Sequence, residues 1–258
     1  MNKLPISVII ITQNESDRIQ AAIKSVSEWV SEIIIVDSGS TDDTVTKAKM
    51  LGAKTFFNEW QGYGKQKRFA EEQASNEWLL NLDADERVTD DLQKEILKLF
   101  QEPILLADGY YIAIHDVIYL TKKLNPKTPY KPIRLYNKLK GRYSDSPVHD
   151  RVIMKPDAKV KKLSGKIAHE SIRNFSHRVD KLNAYSSAQV ADLITKGRIP
   201  STTRIIVEFW TSFIKRYFIK GYWRQGLVGY IYAMNYAYSR FLRQIKLYEA
   251  YKNNDKDH

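Results

Sequence analysis

The chain has 258 residues, 43 % of them apolar, enough to bury one large core, and it has no cysteine, which excludes disulfides and thiolate chemistry. Its net charge of +11 is unevenly placed: residues 1–100 carry 12 Lys and Arg against 17 Asp and Glu, while the remainder carries 29 against 13. The first part is therefore acidic and the second strongly basic, which points to an anionic partner such as nucleotide phosphate, lipid headgroups or nucleic acid. The N-terminus runs from Met1-Asn2-Lys3 straight into a β-type run without a signal-peptide pattern, and the lack of thiols suits a reducing cytosol.

Ile6-Ser7-Val8-Ile9-Ile10-Ile11 is nearly continuous and β-branched, as expected of a strand buried on both faces. It stops at the polar loop Thr12-Gln13-Asn14-Glu15. A helix pattern follows over Ile19, Ala22, Ile23, Val26 and Val30, with Ser16 as its expected N-cap. Ile33 to Val36 is a second buried strand ending in Asp37-Ser38-Gly39-Ser40. Thr41-Asp42-Asp43 opens another helix, closed by Gly52. Ala53 to Phe57 is a third strand, Lys65 to Ala74 a third helix, and Trp78 to Leu82 a fourth strand ending in Asp83-Ala84-Asp85-Glu86. Alternation of this kind predicts βαβ units and a parallel sheet, with a polar loop at the carboxyl end of three strands, where open α/β sheets bind ligands.

Residues i and i+2 of a strand point to one side, so Asp83 and Asp85 are expected to present their oxygens together, a donor set for Mg²⁺ or Mn²⁺. A solvated acidic turn ahead of the helix at Thr89 is the alternative. No Gly-x-Gly-x-x-Gly and no Gly-x-x-x-x-Gly-Lys-Ser/Thr is present, which removes two rival nucleotide folds.

Three segments, Ser7 to Glu15, Ile35 to Asp42 and Leu82 to Glu86, together resemble the opening of the family-2 glycosyltransferases of GT-A fold. The resemblance implies that Thr12, Asn14, Glu15 and Asp37 hold the base and ribose of a nucleotide-sugar. It makes Asp83-Ala84-Asp85 the Asp-x-Asp motif, with Asp83 near the ribose and Asp85 on the metal. Gly62-Tyr63-Gly64-Lys65-Gln66-Lys67 is similar to a run of the WaaE/KdtX-type lipopolysaccharide-core transferases, which makes Gln66 and Lys67 nucleotide contacts. Gly141-Arg142-Tyr143-Ser144-Asp145-Ser146-Pro147-Val148-His149-Asp150 resembles a second segment of that subfamily. There the carboxylate after His is the expected catalytic base; this chain has Asp150 where Glu is usual, one methylene shorter. On the residues alone, a salt bridge from Asp150 to Arg151 or Arg142 is the competing reading. His169 falls where the subfamily has a His and is implied as a second metal ligand.

Between strands expected at Gly109–Ile114 and Pro132–Tyr136 lies a long Pro- and Lys-rich segment, Leu120 to Lys131, read as an acceptor-side lid. From His177 onward the chain is helical, and after Thr203 it is dense in Trp, Tyr, Lys and Arg. Basic aromatic helices suit a membrane interface, and the uncharged stretch Gly226 to Ser239 is too short to span one.

These observations predict an α/β protein of GT-A type, a Rossmann-like, mostly parallel sheet flanked by helices, with a C-terminal helical appendage. The catalytic domain is expected over 1–175, its nucleotide-sugar half about 1–100 and its acceptor half about 101–175, followed by a membrane-proximal region over 176–258. The resemblance implies an inverting hexosyltransferase with Asp150 as base and a divalent metal at Asp85. It implies a UDP-hexose donor, UDP-glucose foremost, and a lipopolysaccharide-core or related lipid-linked acceptor. The expected location is the cytoplasmic face of a bacterial inner membrane, peripheral on an anionic surface, with no nucleic-acid partner. A catalytically inactive binding protein of this fold and a nucleotidyltransferase of similar sheet topology are the alternatives.

Overall fold

The structure, a computed structural model, describes residues 3–103, 105–125, 130–146 and 150–254. Part of the expected lid (126–129) and the Pro147-Val148-His149 step of the motif before Asp150 lie outside the described residues. The chain forms two compact units, Met1–Ile118 with Lys122–Ser171, and Tyr119–Thr121 with Ile172–His258.

The first unit is built in the order β1 (Leu4–Thr12), α1 (Ile19–Lys24), β2 (Val30–Asp37), α2 (Thr44–Met50), β3 (Lys54–Phe57), α3 (Tyr63–Gln73), β4 (Trp78–Asp83), β5 (Glu86–Val88) and α4 (Asp90–Leu99). It continues with β6 (Gly109–Ile118), β7 (Lys123–Leu124), β8 (Ile133–Asn137), β9 (Gly141–Tyr143), β10 (Val152–Met154) and β11 (Val160–His169). One large sheet runs in the order β3-β2-β1-β4-β8-β6-β11-β5, with β7 paired to β6. Strands β3, β2, β1 and β4 are parallel, as are β6 and β11; β8 is antiparallel to both its neighbours.

Strand β1 shows why the long apolar run belongs at the centre. Ile6, Val8 and Ile10 pack into one core on one face of the sheet, and Ile9 and Ile11 into a second core on the other. Helix α4 is capped as its sequence dictates, with Thr89 Oγ1 accepting from Leu92 N at 3.4 Å and Asp90 and Asp91 in the first turn.

Helix α1 differs from the expectation. It stops at Lys24, because Ser25 Oγ donates back to Ala22 O (2.7 Å) and Trp29 Nε1 donates to Ser25 O (2.9 Å), turning the chain into β2. Ser16 does not cap it; its N–H donates to Asp42 Oδ2 at 3.1 Å instead, joining two loops.

At the sheet end opposite the polar loops, buried Glu32 of β2 joins β1, β3 and the segment that leads into β4. It accepts from Lys54 Nζ (2.7 Å), Ser75 N (2.8 Å) and Ser75 Oγ (2.9 Å), and also from the Ser7 hydroxyl. Burial alone would raise its pKa, but these donors outweigh it and hold the carboxyl at about 2. A depressed folded-state pKa gives stability that is complete above the ordinary glutamate value and is lost as pH falls toward 2. Glu32→Gln should therefore lower the melting temperature at neutral pH, and the gap from the parent should close between pH 4.5 and 2 in a thermal-melt series. A gap independent of pH would reject the ionic origin.

The second unit contains α5 (Phe175–Thr195), α6 (Thr202–Ile214), a π-helical turn (Lys215–Ile219), a 3-10 turn (Tyr222–Gln225) and α7 (Gly226–Asn254). Its interior is formed by Val190, Tyr222, Ala233, Ala237 and Leu247. Gly229 allows α7 to pass the preceding turn, since a Cβ there would stand 1.8 Å from Tyr222 O. No helix among the described residues is long and apolar enough to cross a membrane.

Candidate active site

The loops that follow β1 and β2 are locked to each other. Asp37 closes its own turn, Oδ2 accepting from Gly39 N and Ser40 N at 2.8 Å each. Asn14, at φ 55°, donates its N–H to Ser40 Oγ and accepts at Oδ1 from Thr41 N, both at 2.8 Å. Asn tolerates this left-handed conformation better than most residues. Glu15 takes Arg18 in a two-point contact, with Nη2 at 2.6 Å and Nε at 2.7 Å. Thr12 is buried at the strand end, and its Oγ1 has no hydrogen-bond partner among the described residues. A buried hydroxyl without a partner is uncommon and is available to a ligand's polar atom.

Gln66, fully buried, supports these loops from below. Its Nε2 donates to Ser38 Oγ and Asn58 O, both at 2.9 Å, and its Oε1 accepts from Asn58 Nδ2 at 2.7 Å. Its amide reaches the strand-end loop through Ser38, while the cleft is faced by its neighbour.

Lys67 is that neighbour. Its Nζ lies 3.0 Å from Asp83 Oδ1 and 2.7 Å from Asp150 Oδ2, and 5.1 Å from the centre of the Tyr143 ring. Asp150 thus pairs with a residue 83 positions away and not with Arg151 or Arg142. Burial would lower the lysine pKa, but Asp83, Tyr143 and Asp150 reverse that and raise it above its ordinary value. Helix α3 brings Lys67 here through Gly62, at φ 103°, and Gly64. A Cβ on Gly64 would lie 2.2 Å from Ser144 O and 2.6 Å from Ser146 O, so only glycine lets the helix start touch the segment leading to Asp150.

Arg134 completes the cluster and was not singled out by the sequence. Its Nη2 lies 3.1 Å from Asp83 Oδ2 and 2.9 Å from Glu86 Oε1, and Nη1 donates to Asn81 Oδ1. Tyr143 Oη donates to the same Asn81 oxygen at 2.7 Å, and Glu86 Oε2 accepts from Asp83 N at 2.9 Å. Burial would raise the Asp83 pKa, but Lys67 and Arg134 hold it well below the usual carboxylate range. Burial dominates at Glu86 and, opposed by Arg134, pushes it up to about 7. Lys67, Asp83, Arg134 and Asp150 share a cleft of about 590 Å³, walled by Tyr63, Tyr111, Tyr130, Tyr143 and Ile133 among others. That volume suits a small-molecule ligand, and its floor carries two buried cations paired with Asp83, Asp150 and Glu86.

Asp85 belongs to a second cluster. Strand β4 ends at Asp83, and the turn at Ala84 and Asp85 gives the two carboxylates different partners, so the expected shared presentation is not realised. Asp85 Oδ2 lies 3.3 Å from His169 Nε2 and 3.3 Å from Arg18 Nη1. His169 Nδ1 lies 2.9 Å from Asp116 Oδ1. Burial would lower the His169 pKa, but Asp116 and Asp85 outweigh it and hold the imidazole at about 10. Register explains the meeting: His169 pairs with Asp116 across the β11–β6 ladder and with Glu86 across β11–β5.

Among the described residues no group of three or more His, Asp or Glu side chains converges as a metal cage. The Asp85–His169 pair fits a more open site. Asp85 Oδ2 and His169 Nε2 stand 3.3 Å apart, near enough to share an ion, which would displace the imidazole proton and the Arg18 contact. The carboxylate behind Nδ1 is the usual support for a metal-ligating histidine. Such an ion would take its other ligands from phosphate and water.

Loops at the carboxyl ends of β1, β2 and β4 therefore meet at the edge where open α/β sheets bind ligands. The chain matches the model of Glycosyl transferase family 2 over residues 7–154, and it belongs to that family. Its sheet and C-terminal helices are the GT-A arrangement with helical appendage that the sequence predicted. It is 40 % identical to an uncharacterized glycosyltransferase of Rickettsia typhi over 256 residues, spanning 95 % of this chain and 87 % of that protein. It is 32 % identical over 263 residues to the lipopolysaccharide core biosynthesis glycosyltransferase LpsC of Rhizobium meliloti, spanning 96 % of this chain and 94 % of that one. Among solved structures it is similar to S. aureus TarS 1–349, at 15 % identity and a TM-score of 0.47, covering 97 % of this chain and 92 % of that one. The protein is a glycosyltransferase, which sets aside both the nucleotidyltransferase and the inactive binding protein.

Proposed function

We propose that this glycosyltransferase moves a hexose from a UDP-sugar, glucose foremost, to a lipopolysaccharide-core or related lipid-linked glycan, with inversion at the sugar carbon. The carrying observation is the position of Lys67 Nζ, within 3.0 Å of Asp83 and 2.7 Å of Asp150. One buried cation links the first carboxylate of Asp-x-Asp to the carboxylate proposed as base. Asp150 takes the proton from the acceptor hydroxyl as that oxygen attacks the sugar carbon. A single base with direct displacement gives inversion, hence a β-linked product from an α-linked donor. Lys67 and Arg134 supply fixed positive charge to the departing diphosphate. Thr12, Asn14, Glu15, Asp37 and Asp83 line the base and ribose end, with Gln66 bracing it. Asp85 and His169 would hold the divalent metal, which when bound neutralises charge on the leaving group as a Lewis acid.

The acceptor class is supported by the near full-length similarity to LpsC. Work on such an acceptor would take place at the cytoplasmic face of the inner membrane. The test is a panel of UDP-, GDP- and dTDP-sugars, read by metal-dependent turnover and by thermal stabilisation with donor and Mn²⁺. The parent should respond to UDP-hexose with metal, and Asp85→Ala should lose both responses while remaining folded, with a lower unliganded melting temperature because Arg18 and His169 lose a buried partner. An Asp85→Ala protein with full activity and an unchanged Mn²⁺ response would overturn the metal assignment.

A further inference from the structure

The C-terminal unit carries an apolar ridge that its own helices leave uncovered. Ile206, Val207, Trp210, Ile214 and Phe218 recur at helical spacing on one face of α6 and the π-helical turn. Ile206 is 67 % exposed, Trp210 63 %, and farther along Ile219 is 74 % and Leu227 72 % exposed. Scattered exposed apolar residues are ordinary, but this many on one helix face, with Trp223 and Leu227 also exposed on the turn and the start of α7 that follow, mark an interaction surface.

The charge around it identifies the partner. From residue 209 to 248 the chain has no Asp or Glu, and it has seven cations: Lys215, Arg216, Lys220, Arg224, Arg240, Arg243 and Lys246. Glu208, just before, pairs with Arg240 at 2.7 Å. Arg216 lies between the rings of Tyr222 and Tyr236 at 4.7 and 4.5 Å, and Arg224 over Trp223 at 5.3 Å. Aromatic rings hold a guanidinium without cancelling its charge. Lys215 and Arg224 are exposed and adjoin Ile214 and Trp223 in the chain.

We infer that this face is a monotopic insertion surface for an anionic phospholipid bilayer, with Trp210, Ile214, Trp223 and Leu227 entering the acyl boundary and Lys215 and Arg224 at the phosphates. Apolar residues flanked by cations, on helices unable to span, are the pattern of an interfacial anchor. A second copy of the chain would set two basic faces against each other, which charge repulsion opposes. The inference rests on the proposed lipid-linked acceptor only for its purpose; vesicle binding needs neither donor nor metal, so the two can fail separately.

The experiment uses the full chain with vesicles of phosphatidylcholine alone and of phosphatidylcholine with 30 % (about one-third) phosphatidylglycerol. The parent should sediment with the anionic vesicles, shift its tryptophan emission to the blue, and lose about tenfold or more of its affinity on raising salt about tenfold from roughly 50 to 500 mM, which shortens the Debye length about threefold. Trp210→Ser with Leu227→Ser should weaken partitioning about tenfold or more at an unchanged melting temperature. Lys215→Gln with Arg224→Gln should remove most of the preference for the anionic lipid, each cation near such a surface contributing roughly fivefold. Trp210→Ser alone, read by vesicle sedimentation, covers the case of an unstable double variant. The inference is overturned if the parent ignores anionic vesicles at low salt or if the ridge variants bind as the parent does. It is equally overturned if those variants abolish a concentration-dependent dimer, or nucleic-acid binding, and leave vesicle binding intact.

Discussion

Asp150→Asn should bind donor as the parent does and transfer sugar about 10²- to 10⁴-fold more slowly, the range for loss of a positioned general base. The substitution keeps the size and a hydrogen-bonding oxygen near Lys67 Nζ, now 2.7 Å from Asp150 Oδ2, but it cannot accept a proton. Turnover and donor affinity must be measured separately, because a residue that only binds donor would change the second and spare the first. Asp150→Glu should remain active, since glutamate is what the resembling segment carries at this place. Collapse of donor affinity with near-parental turnover would make Asp150 a nucleotide ligand.

Arg134→Met is expected to be the most destabilising single change in the first unit. It would leave Glu86 buried without its partner and Asp83 with Lys67 alone. Removing one member of a buried ion pair costs about 3–5 kcal/mol, because the remaining charge has lost both water and partner. For a domain of this size that corresponds to a fall in melting temperature of about 6–20 °C. Adding Glu86→Gln should recover part of the loss, which a double-mutant cycle of melting curves would show. Additive losses would mean that Arg134 acts through packing, and the network around Asn81 would then need another explanation.

The central strands were legible because β1, β2 and β4 are buried on both faces and so read as unbroken apolar runs. The strand-end loops were legible for the complementary reason, as polar residues in sheet positions that the core cannot use. Strand β11 was not legible: its sequence, Val160-Lys161-Lys162-Leu163-Ser164-Gly165-Lys166-Ile167, is lysine-rich and largely solvent-facing, and only its end enters the core. On sequence alone Arg134 is simply part of a strand. A lone cation inside Pro132-Ile133-Arg134-Leu135-Tyr136 is a signal in retrospect, since a buried strand can hold one only opposite carboxylates. The Lys67–Asp150 pair is long-range, and no local pattern distinguishes it from the neighbouring arginines at 142 and 151. The apolar spacing of α1 continues past Lys24 through a segment that turns, so the sequence suggests a longer helix than the chain forms.

The pairing of β5 with β11 has a consequence for which sequences this fold can accept. His169 stands opposite Glu86, and Glu170 N donates to Asp85 O at 2.8 Å, so the turn carrying Asp85 and the end of β11 are held in one register. Side chains alternate between faces along a strand. Loss or gain of a single residue between Gly165 and His169 would turn the imidazole to the opposite face, away from Asp85 and Asp116, with every functional residue still present. Gly165 marks the start of that span, because a Cβ there would lie 2.4 Å from Leu92 Cα, so the strand cannot slide past α4 to absorb the change. Chain length between 165 and 169 is therefore as constrained as residue identity, and descendants of this sequence should vary in its residues far more readily than in their number.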